Sequence, residues 1–134
     1  MRRYPDWQAR LREYAAAQAR APFRYGKHDC ALFAAGAVKA MTGVDLARGW
    51  RGKYRSLKRG LAMVREAGHE DHVALCASAL PEIHPSKARR GDIAAVPVPD
   101  GLALGVVQGE YVWVLQPQGM ASVLLTDAHR AFRV

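Results

Sequence analysis

Apolar residues fall into two regimes along this chain, helical in the first half and strand-like in the second. Between Pro5 and about Ala19, Trp7, Leu11 and Tyr14 recur at near-helical spacing while Arg10, Arg12 and Glu13 fall elsewhere, and Ala21-Pro22 breaks the run. Cys30 to Thr42 predicts a second helix, with Leu32, Phe33, Ala37, Val38 and Met41 apolar and Gly43 as its stop. Its small residues Ala34, Ala35 and Gly36 leave room for a neighbouring backbone to pack closely. Ser56 can cap a third helix reaching about Ala67, and a short fourth spans about Asp71 to Ala79 before Pro81. After Gly91-Asp92 the pattern shortens. The runs Ile93–Val98, Leu102–Val107, Tyr111–Leu115 and Ser122–Leu125 are rich in Val, Leu and Ile, with Pro-Asp-Gly, Gly-Glu and Gln-Pro-Gln-Gly turn signals between them. They predict an antiparallel meander. Helices followed by strands indicate an α+β domain, with the N-terminal helices packed on an antiparallel sheet made by residues 93–125.

Length and composition narrow the class. The 134 residues suit one domain, 1–134, and 50% hydrophobic content suits a folded core. No run of about 18 apolar residues is present, so no membrane span is expected. Met1-Arg2-Arg3-Tyr4-Pro5-Asp6 lacks a following apolar run, so no signal peptide is expected and synthesis is assigned to the cytoplasm. Two cysteines, Cys30 and Cys76, are too few for a disulfide framework and read as reduced thiols. The net charge of +8 favours an anionic partner: nucleic acid, an anionic polymer or an acidic protein face.

The candidate chemistry centres on Cys30. In Phe23-Arg24-Tyr25-Gly26-Lys27-His28-Asp29-Cys30, a Gly-containing loop ends in Asp-Cys at the start of an apolar helix. Asp29 is a favoured N-cap, which puts Cys30 at the first helical position, where unpaired N–H groups favour a thiolate. The competing reading is a small, inert, buried cysteine on an apolar helix face.

Tyr25-Gly26, then Asp29-Cys30 before a helix, then Gly91-Asp92-Ile93, then the strand Leu104-Gly105-Val106-Val107 follow the order of the papain-like NlpC-type cysteine peptidases and amidases. The chain resembles that superfamily over most of residues 22–115. Asp29–Ala35, Thr42–Asp45, Arg51–Tyr54 and the ending Ala128–Val134 resemble more closely a subgroup found in phages and prophages near tail genes. The resemblance implies a papain-like fold. It also implies Cys30 as nucleophile toward an amide of a peptidoglycan stem peptide, with Tyr25 near the oxyanion site. Such chemistry needs a histidine base and a polar group that orients it. Active relatives carry that histidine two residues before the strand glycine, where this chain has Ala103; the next strand offers Gln116 and no histidine. His28, His72, His84 and His129 are the substitutes the sequence offers, and His28 is the nearest along the chain.

Two further groups stand out. His69, His72 and Cys76 have a spacing that could share one helix face and hold zinc, but Gly68 suggests that His69 precedes the helix, and no metal or cofactor is expected. Residues 48–59 carry Arg48, Arg51, Lys53, Arg55, Lys58 and Arg59 interleaved with Trp50 and Tyr54. Arg48, Trp50, Arg51 and Tyr54 suit protein docking better than nucleic-acid binding, since no nucleic-acid motif accompanies them. The leading expectation is a phage or prophage tail-associated structural or assembly protein with a degenerate cell-wall-hydrolase fold. Its partners would be other tail proteins, and its final location the virion tail. An active cysteine amidase or endopeptidase acting on peptidoglycan is the second expectation, and a basic nucleic-acid-binding module the third.

Overall fold

A computed structural model describes residues 1–134 as four helices and one antiparallel sheet. The helices are α1 (Trp7–Gln18), α2 (Cys30–Thr42), α3 (Leu57–Glu66) and α4 (His72–Ala79). Three of them begin at side-chain caps: Asp29 accepts from Leu32 N, Ser56 from Arg59 N and Asp71 from Ala74 N. Gly43 closes α2 in the left-handed conformation, φ 83°, which only glycine adopts without strain.

α2 is buried along most of its length, through Leu32, Phe33, Ala34, Ala37, Val38 and Met41. It is the central helix, with α1 on one side and the sheet on the other. The small-residue stretch admits a side chain rather than a backbone. Tyr14 of α1 lies over Gly36, where a Cβ would collide with its phenol, and its hydroxyl donates to the Phe33 carbonyl at 2.9 Å. Its ring stacks on Phe33 at 5.7 Å.

The strands are β1 (Glu82–Ile83), β2 (Ile93–Val98), β3 (Gly101–Gln108), β4 (Tyr111–Gln116), β5 (Gly119–Leu124) and β6 (Arg130–Phe132). They lie in the order β1-β6-β2-β3-β4-β5. The expected meander is β2 to β5, with its last strand starting earlier, at Gly119, and ending at Leu124. The sheet also extends beyond 93–125, because β6 returns to pair with both β1 and β2. Two- and three-residue strands are too short to display a period, so the sequence pattern gave no sign of them. Alternation along the strands splits the core. Ile93, Ala95, Leu104, Val106 and Leu115 face α2, while Ala94, Val96, Ala103, Val107, Val112 and Val114 form a second cluster.

The strands β3 and β4 pair only near their hairpin, at Val106↔Trp113, Val107↔Val112 and Gln108↔Tyr111. Before Val106, β3 stays paired to β2 through Gly101, while β4 beyond Trp113 pairs only with β5. The two strands part there, and the candidate site lies in the gap.

The Gly-Asp of the sequence motif has a structural task. Buried Asp92 accepts from Arg3 Nη2 at 2.9 Å, Val134 N at 3.0 Å and Arg89 N at 2.9 Å. Arg3 also donates to the carbonyls of Arg90 and Val134. The carboxylate thus binds the first and last described segments to the start of β2. No helix is long and apolar enough to cross a membrane.

Candidate functional site

Asp29 organises the site. Its Oδ1 caps α2, while its Oδ2 accepts from Gly26 N at 3.0 Å and from the Tyr54 hydroxyl at 2.6 Å. The loop before α2 is thereby tied to the basic segment. Gly52 N donates to the Gly26 carbonyl at 2.8 Å, and the Tyr54 backbone lies so close to Gly26 that a Cβ there would overlap it. Gly26 has φ 82°, so the position demands glycine on two counts.

Cys30 stands at the first position of α2, as expected, but its thiol is not activated. Burial pushes it from its ordinary value of 9.0 up to about 11, and the Asp29 carboxylate acts in the same direction. The N–H groups of Leu104, Ala31 and Cys30 itself favour the thiolate and are outweighed. The helix terminus does act as the sequence suggests; desolvation is larger. Tyr25 is a neighbour: burial raises its phenol, and the nearby Cys30, Asp100 and Asp29 act in the same sense. It packs edge-on against Phe23, ring centres 4.9 Å apart.

Of the expected site residues, Cys30, Tyr25, Ala103 and Gln116 line one cavity of about 260 Å³ between α2, α3, α4 and the parted strands. Ala103 belongs to the buried cluster against which Cys30 packs. His28 is directed elsewhere. It is buried and its Nε2 donates to the Gln18 carbonyl at 2.9 Å, anchoring the end of α1. His84 is exposed and bonds Ser86 at 2.7 Å, and His129 is also exposed. His72 alone of the histidines reaches the cavity, where its Nε2 donates to the Leu102 carbonyl at 2.7 Å.

His72 was among the histidines the sequence offered as base, and Asp71 as N-cap sets it at the start of α4; its reach to the β3 carbonyl needed the fold. Cys76, four residues on, lines the same cavity, and burial raises its thiol to about 12. His69 lies before α4, so the three possible zinc ligands do not share a helix face. Asp100, in the β2–β3 turn, contributes a carboxylate to the rim that no motif announced.

The basic segment divides in function. Tyr54 is committed to Asp29, Trp50 lines the cavity, and Arg51 forms a two-pronged contact with Asp45 at 3.1 and 3.2 Å. Arg59 pairs with Glu66 at 3.1 Å. Arg48, Lys53, Arg55 and Lys58 are exposed.

These observations define an α+β protein whose cysteine, at the head of a central helix, faces the open end of an antiparallel sheet. The chain belongs to the family described as a domain of unknown function (DUF6950), which matches residues 2–134. No curated protein matches it.

Proposed function

We propose that this protein is a tail-associated structural or assembly component of a phage or prophage, with a papain-like, NlpC-type fold that retains the cysteine of a cell-wall hydrolase without its base. The observation that carries the reading is the grouping of Cys30, Ala103 and Gln116 around one cavity with alanine in the histidine position. Alanine cannot take a proton, and a thiol raised to about 11 is almost wholly neutral near pH 7. The exposed cations Arg48, Lys53, Arg55 and Lys58 favour docking to an acidic face of another tail protein. Purified protein incubated with peptidoglycan or muropeptides is expected to release no more product than Cys30→Ala. Turnover abolished by that substitution would overturn the reading.

One observation favours the active amidase instead. His72 lines the same cavity as Cys30, and donation from Nε2 leaves Nδ1 with its lone pair. On that reading His72→Ala abolishes hydrolysis together with Cys30→Ala; on the leading reading neither variant changes a null result.

A further inference from the structure

The cavity beside Cys30 has a chemical character of its own. It has about 260 Å³ of space, and 25 of its 32 lining residues are hydrophobic. An apolar cavity of about 150 Å³ suffices for a benzene-sized ligand. We propose that this cavity binds a straight aliphatic chain of about eight to ten carbons bearing an uncharged polar head such as a primary amide.

Three observations carry the proposal. The first is α3, whose apolar residues Leu57, Leu61 and Val64 line the cavity although only Val64 is buried. Leu57 is 42% exposed. An amphipathic helix turns its apolar face to packed atoms, and this one turns much of it to open space.

The second is the wall formed by the parted strands. The carbonyl of Leu102 is taken by His72 Nε2 at 2.7 Å, which removes one rung from the ladder an extended peptide would use. The side chains of Leu102, Leu104 and Leu115 line the cavity there. Such side chains suit hydrocarbon.

The third is the polar lining. Tyr25, Asp29, His72, Ser78, Asp100 and Gln116 supply it, and no lysine or arginine does. Tyr25 lies near both Asp29 and Asp100. Asp29 is already saturated by three donors. Asp100 is exposed at the rim and can accept from an amide N–H. A carboxylate head there would face two carboxylates with no lysine or arginine among the lining side chains. The inference does not depend on whether Cys30 is reactive.

Titration calorimetry of the intact chain with octanamide, butanamide and octanoate tests it. Octanamide is expected to bind one site, about fourfold more weakly per methylene removed. Octanoate is expected to bind at least about tenfold more weakly than octanamide. Leu57→Glu, at an exposed position, should weaken octanamide more than about tenfold with an unchanged thermal midpoint. Asp100→Lys should bring octanoate to within about threefold of octanamide. The proposal is overturned by absence of saturable binding, by octanoate binding as well as octanamide to the unmodified chain, or by full affinity in Leu57→Glu. It is overturned equally by affinity that stops rising at about four carbons, which would assign the cavity to a single side chain of a partner protein.

Discussion

At Asp29 one carboxylate serves a helix, a glycine loop and a tyrosine from the basic segment. Removing the tyrosine's share is therefore a local change with a defined cost. Tyr54→Phe keeps the ring and deletes a hydrogen bond to a charged acceptor, which should destabilise the fold by about 2 kcal/mol in urea titration. An unchanged midpoint would mean that solvent replaces the hydroxyl. The Cys30 thiol yields a pH prediction. The thiolate is the nucleophile, so a thiol at about 11 rather than 9.0 should be alkylated about a hundredfold more slowly at pH 8, with the rate rising through pH 10. Iodoacetamide labelling in a Cys76→Ser background measures this. The linkage has a definite sign: the raised value contributes stability that is intact below pH 9 and lost as pH rises toward 11. Labelling as fast as that of an unfolded control would remove the case against an activated cysteine.

At the level of elements, the contact between α1 and α2 rests on Gly36. Gly36→Ala would force a methyl into the Tyr14 phenol and should cost about 1–3 kcal/mol, although alanine is the better helix former. Tyr14→Ala should remove most of that penalty. A double-mutant cycle showing no coupling would separate the two residues. Much of this layer was legible beforehand, since α2, α3 and α4 each follow a capping residue and β2 to β4 are bounded by turn signals. The strands β1 and β6 were not, because pairing over two or three residues is dictated by tertiary packing. At the site, the family resemblance grouped Cys30, Tyr25, Ala103 and Gln116, and all four line one cavity. His28 was not: two residues of separation say nothing about direction, and the Gln18 carbonyl claimed its ring. The reach of His72 to β3 depends on a contact 30 residues away in sequence.

Across the whole molecule, Asp92 is the point where distant segments meet. Asp92→Asn removes the charge opposite Arg3, which is partly buried, and leaves that guanidinium without its partner. Loss of one member of a buried pair costs about 3–5 kcal/mol, so the thermal midpoint should fall markedly. Hydrogen exchange should quicken together at β2 and β6. An effect confined to the residues around Arg3 would show that the segments are held independently.

The insertion of β6 between β1 and β2 also has a meaning in time. The β2–β5 meander closes through short hairpins and can pair before residues 130–132 reach back across the sheet to β2. Until they arrive, the outer edge of Ile93–Ala95 is an unpaired ladder of apolar residues, the kind of edge that recruits another chain. β6 acts as a cover over this edge, and the interval before it closes is when a folding copy is most exposed to aggregation.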